Sequence, residues 1–226
     1  MSRGLAYGGA YTYSKALDDR KSTTYVPYYL TYGPSSTDMR NRLTPNWVWE
    51  LPEASTHWNN WFSRWTLDSW EVSGIASFIS GEPMKVNLST TNNENITGGG
   101  DGAQVILTGS AVLPKSKRTF NHYFNPNVFA LPAVGQIGTS WNGAAFYGPG
   151  VNNWDIVATK NFLIKDRANV ALRTETYNTF NHPQWSSVNN TAQFDPSTGD
   201  QVNSALGMIT GDRGPRIMQL ALRINF

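Results

Sequence analysis

Four tyrosines crowd one short stretch of this chain: Tyr25, Tyr28, Tyr29 and Tyr32, in the run Y-V-P-Y-Y-L-T-Y. Their rings could stack on a sugar or another ligand; loop packing or an interfacial aromatic band is the better reading. Asn92, Asn93, Glu94, Asn95 and Asp101, with Gly98, Gly99 and Gly100 among them, offer the oxygens calcium takes. Their spacing fits no EF-hand, so a polar loop is the better reading. His57, His122 and His182 lie far apart, and none belongs to a metal-binding pair. No serine sits in a nucleophile elbow, and Gly98-Gly99-Gly100-Asp101-Gly102 lacks the Lys-Ser/Thr of a phosphate loop. The chemistry on offer is binding. We expect no catalytic residue, no metal and no cofactor.

The elements that must position these residues are strands. Near the chain end, Met218, Leu220, Leu222, Ile224 and Phe226 alternate with Ile217, Gln219, Ala221, Arg223 and Asn225. Side chains alternate faces in a strand, so one face is apolar and the other mostly polar. Similar alternation runs over about 3–17, 40–51, 66–80, 153–163 and 167–180, where Pro45 should force a local bulge. Each segment is long enough for a tilted strand to cross a bilayer, roughly 9–11 residues. Arg42, Glu50, Glu71, Asp155, Arg173, Glu175 and Arg223 all fall on polar faces, where the lumen of a barrel would receive them. A charge facing lipid at mid-depth would cost about 2–4 kcal/mol. Lys160 falls on the apolar side, near a strand end where it can snorkel.

Composition agrees with an all-β membrane protein. Of 226 residues, 13% are aromatic and 15% charged; the net charge of +2 gives no basic footprint for nucleic acid. There is no cysteine, hence no disulfide framework. A mean hydropathy of −0.42 suits a barrel, where only alternate residues meet lipid. The connections are unequal. Residues near Ile164-Lys165-Asp166 make a tight turn and about 52–65 a moderate connection, whereas about 18–39, 81–152 and 181–214 are long. Short turns on the periplasmic side and long loops outside are the habit of outer-membrane barrels. Trp49, Trp65, Trp70, Phe162 and Phe226 then lie near periplasmic strand ends, and Tyr11, Tyr13, Phe78, Trp154 and Phe180 near outer ends, as two aromatic girdles.

The alternating ending closed by Phe226 resembles the C-terminal signal of bacterial outer-membrane proteins. That likeness implies that Met218, Leu220, Leu222, Ile224 and Phe226 are read by the barrel-assembly machinery. Segments 39–52, 69–83, 148–162, 171–185 and 207–226 resemble, in order, parts of TonB-dependent outer-membrane receptors, and most closely the Oar-like subclass with a carboxypeptidase-regulatory-like domain. The resemblance implies an antiparallel up-and-down transmembrane barrel of about 22 strands around a plug. Residues 1–226 would supply about six C-terminal strands and long extracellular loops. It also implies ligand uptake across the bacterial outer membrane, with the TonB complex engaged through a plug that has no counterpart here. Met1-Ser-Arg-Gly-Leu-Ala-Tyr already reads as strand and not as a leader, so on the barrel reading a fragment, a mature product or a mis-started gene model is expected.

Two rivals stay open at this point. One is a soluble secreted all-β carbohydrate-binding module of lectin type, with its strands closed into a sandwich. The other is a small barrel of its own, with Val26–Tyr32 and Gln104–Thr108 as further strands.

Overall fold

The computed structural model describes residues 4–19, 26–97, 103–140, 144–164 and 168–225. Six long strands form one sheet: β1 (Leu5–Tyr13), β2 (Asn41–Glu50), β3 (Trp70–Ile79), β4 (Val151–Ile164), β5 (Ala168–Tyr177) and β6 (Ile217–Asn225). They stand in chain order, every neighbour antiparallel. This is an up-and-down meander. Among the described residues β1 and β6 do not pair, so the sheet is open.

The register carries the alternation from strand to strand. Directly opposed residues share a face. Leu5 faces Trp49, Trp49 faces Val72, Val72 faces Ala158, Ala158 faces Thr174, and Thr174 faces Leu220. Above and below this row the same face carries Tyr7, Tyr11, Leu43, Trp47, Phe78, Trp154, Ile156, Phe162, Leu172, Met218, Leu222 and Ile224. All seven charged residues assigned to polar faces lie together on the reverse side. The apolar face is not folded into a sandwich: Leu220 is 74% exposed and Tyr7 84%. Within it Trp47 lies over Gly74, where a Cβ would stand 2.4 Å from the indole, so glycine makes room for the ring.

Several expectations need correcting. Pro45 makes no bulge, because β2 keeps one register with both neighbours along its length. The proline pairs with Gly9 on one side, while Thr44 and Pro45 drop out of the ladder to β3 on the other. A missing donor costs ladder bonds without requiring an inserted residue. β1 ends at Tyr13 rather than near residue 17, since Leu17–Asp19 turns away to pair with Tyr32–Pro34. β3 starts at Trp70 and not at 66, because Trp61–Thr66 is helical and Asn60 caps it, accepting from the Ser63 amide at 2.8 Å. Of the extra strands that a small barrel would need, Tyr28–Thr31 is a single helical turn and Ile106–Leu107 pairs only with Phe129–Ala130.

The largest difference lies in the long connections. The described residues of 81–150 and 178–216 fold together into one body with its own core. That core includes Val86, Val105, Phe124, Phe129, Phe146, Val188, Ala192, Phe194, Leu206 and Ile209. Phe124 and Phe146 stack at 4.3 Å between ring centroids, and Phe129 meets Phe124 edge-on. A parallel pair, Asn87–Thr90 with Thr191–Phe194, joins the two connections. Burying apolar side chains of the two connections against each other stabilises the body they share. The first connection, 14–40, abuts the same body through the Tyr147 hydroxyl, which donates to Asp38 at 3.4 Å. All three therefore cluster at one end of the sheet. The connection 51–69 lies at the other end; residues 165–167 lie outside the described residues.

Candidate functional site

Strand ends hold the loop body by specific contacts. At the exit of β5, Asn178 adopts a left-handed conformation (φ 50°), which asparagine tolerates better than most residues. Its amide donates to Asp155 at 3.0 Å and its side chain to the Gly214 carbonyl at 3.2 Å, so both ends of the last connection are tied to β4. At the exit of β3, Gly81 approaches Gly148 so closely that a Cβ would sit 1.8 Å from the Gly148 oxygen. Only glycine permits this crossing.

Clefts open beneath the loop body at the loop end of the sheet. One, of about 490 Å³, is lined by Arg40, Lys115, Arg118, Tyr123, Tyr147 and Asn152 with adjoining backbone. Asp38 anchors it. This carboxylate is fully buried, accepts from the Ala16 amide at 3.0 Å and pairs with Arg40 Nε at 3.4 Å. The Arg40 guanidinium lies 5.2 Å from the Tyr147 ring centre, and Arg118 lies 4.9 Å from that of Tyr123. Arg118 also donates to the Tyr123 hydroxyl at 3.1 Å and to the Leu113 carbonyl at 3.0 Å. Burial pushes the Tyr147 and Tyr123 phenols up; Arg40 and Arg118 respectively oppose that rise. Both therefore remain neutral donors at neutral pH. Two guanidiniums, an ammonium and two phenols on one concave surface suit an anionic or polyhydroxylated ligand. A second cleft, of about 300 Å³, lies by the polar face between Arg42, Glu82, Ser186 and Arg213.

The sequence-assigned residues distribute unevenly about these clefts. Tyr28 and Tyr32 stack at 5.1 Å and Tyr29 stands exposed beside them. These tyrosines form a surface platform and line neither cleft; Tyr25 lies outside the described residues. Of the seven charged residues, only Arg42 reaches a cleft at the loop end. Glu50 and Glu71 stand directly opposite each other near the far end. Arg173 and Glu175 pair at 2.6 Å, Arg223 donates to Asn225 at 3.2 Å, and Asp155 serves the Asn178 tie. Met218, Leu220, Leu222 and Ile224 are exposed on the apolar face, and Phe226 lies outside the described residues.

In the acidic loop, Glu94 and Asn92 bond to each other, while Gly98, Gly99, Gly100 and Asp101 lie outside the described residues. No group of three acidic, histidine or cysteine side chains placed to hold a metal occurs among the described residues. Arg40, Arg118, Tyr123 and Tyr147 were missed by sequence reasoning. No local pattern marks them, since Tyr147 and Asp38 meet across 109 residues. The tight glycines around Pro149 were the one signal that a strand entrance there is crowded.

Several aromatic residues gather toward the two sheet ends, while Tyr7 and Trp47, opposite each other, lie between. Trp154 contacts Trp47, Phe78 and Phe180 near the loop end, and Trp65 meets Phe162 near the other. An antiparallel meander, one continuous apolar face, a polar reverse and large loops at a single end together define a wall of a membrane β-barrel. Residues 1–219 match the family model described as outer membrane beta barrel domain, and the chain belongs to that family. Its localisation is accordingly the outer membrane, in general terms. Comparisons with curated proteins and with solved structures find no match.

Proposed function

We propose that the chain forms about six strands of the wall of a TonB-dependent outer-membrane receptor of the Oar-like group. In this reading a ligand is captured beneath the outer loop body. A plug in the lumen then rearranges under force from the TonB complex, and the ligand passes inward. The role is uptake and not catalysis. The apolar face meets outer-membrane lipid, and the polar face bearing Arg42, Glu50, Glu71, Asp155, Arg173, Glu175 and Arg223 turns to the lumen and plug. The observation that carries the proposal is the open edge pair. β1 and β6 each leave a row of backbone donors and acceptors unpaired in the sheet, and in lipid every such group needs a partner. Further strands of a larger barrel supply it.

Sequencing the DNA upstream of Met1 tests this. A reading frame that continues into more alternating strands, a plug and a leader is the expected result. A stop codon followed by a genuine start at Met1 would refute the receptor reading.

A further inference from the structure

The connection between β2 and β3 holds an apolar surface that the sheet alone does not require. Trp58, Trp61, Phe62 and Trp65 recur at the spacing of one helical face, and Trp61–Thr66 is a helix. Most of each ring's surface is open: Trp61 is 75% exposed and Trp58 64%. The opposite side is polar and tied down. Ser63 is buried, and its hydroxyl donates to the Trp58 carbonyl. Arg64 donates to Asn59. A helix this short does not persist in water by propensity alone, so its surroundings must hold it.

Its placement says what those surroundings are. Trp65 meets Phe162, which belongs to the apolar face of the sheet, at 5.3 Å. Trp70 Nε1 donates to the Thr66 carbonyl at 2.8 Å. Lys160, a lysine on the apolar face, turns its ammonium to the Asp68 carbonyl just before the start of β3 and lies 5.1 Å from the Phe162 ring centre. The aromatic surface thus continues the apolar face of the sheet, at the end opposite the loop body.

We infer that Trp58–Leu67 is an interfacial anchor that lays its indoles into the headgroup region of the periplasmic leaflet, its occupant being phospholipid. This rests on the outer-membrane reading of the sheet. Indole rings prefer that depth because one edge is apolar and the N–H is wet. Arg64 on the polar flank meets phosphate or water. The anchor fixes the height of β2 and β3 in the bilayer, and Lys160 marks the boundary at which charge re-enters a polar layer.

The chain has no cysteine, so single cysteines accept a nitroxide label without competition. Labels replace Trp61, Asn59 and Leu222 in the protein assembled in isolated outer membranes. Collisions with oxygen and with a water-soluble nickel chelate are then compared. At Trp61→Cys oxygen is expected to win several-fold, at a shallower depth than at Leu222→Cys; at Asn59→Cys the nickel chelate wins. A water-like label at 61 with a lipid-like label at 222 overturns the anchor and leaves the membrane sheet standing. Shielding of 61 from both reagents means a protein covers the patch, and also overturns it. A water-like label at 222 removes the outer-membrane reading itself. Should Trp61→Cys fail to assemble, the quenching of native tryptophans by headgroup-proximal brominated phospholipid is compared with that of Trp61→Phe. A smaller quenched fraction in the variant supports the anchor, and an unchanged one refutes it.

Discussion

Leu220 and Gln219 are neighbours in the chain that face opposite ways, and an arginine at each gives a decisive contrast. Leu220 lies opposite Thr174 on the apolar face, near the middle of β6, with 74% of its surface uncovered. In a bilayer that surface goes to lipid. Full burial of a leucine is worth about 1.5–3 kcal/mol, so about three-quarters of this, roughly 1–2 kcal/mol, is lost in Leu220→Arg. The guanidinium adds about 2–4 kcal/mol on the lipid face at mid-depth. The sum, about 3–6 kcal/mol, is roughly two to four powers of ten in the folding equilibrium. Gln219 stands opposite Glu175. Gln219→Arg gains a facing carboxylate, worth at most about 1 kcal/mol, and meets no lipid. The assay is urea unfolding in lipid vesicles, with the heat-sensitive gel mobility of the assembled barrel as a check in cells. We expect Leu220→Arg to lose the assembled form and Gln219→Arg to keep it. Equal costs at the two positions, or a larger cost at 219, would refute the assignment of faces.

The loop body and the connection 51–69 allow two more predictions. Phe124 is fully buried between Phe146 and Phe129, so Phe124→Ala should destabilise the loop body by about 3–5 kcal/mol; limited proteolysis should then cut within 81–150 and 181–214 while the six strands stay protected. Hydrogen bonds from Ser55 hold the Asp68 carboxyl below the usual carboxylate range, with the Lys160 charge assisting. A depressed folded value means the tie stabilises above that range and is lost as pH falls through the lower value, so the protection of the Ser55 amide against exchange, relative to a free peptide, should hold at neutral pH and fall as the carboxyl is protonated, a loss that Asp68→Asn abolishes.

The strands were legible because alternation is a local property. Gln219 and Leu220 declare their faces with no knowledge of their partners, and the polar residues from Arg42 to Arg223 could be sorted the same way. The sides of the connections followed from length alone, since an up-and-down meander puts alternate connections at opposite ends. Lys160 could be marked as a charge on the apolar side. Its tie to Asp68 could not, because the intervening helix carries no strand-like period and is too short to announce itself.

What the sequence by itself determined is therefore the membrane wall: an all-β chain, six alternating strands, one greasy face and an unequal distribution of loops. A pleated strand exposes every second residue to the same medium, so the medium writes its polarity into the order of residues. Only the tertiary structure decided that residues 81–150 and 178–216 share a core, and that Arg40, Arg118, Tyr123 and Tyr147 face one cleft. Val86, Phe124, Phe146 and Phe194 follow no period that marks them as core. The antiparallel sheet brings the loop ends to one side, and there the residues of the two connections meet in one cluster.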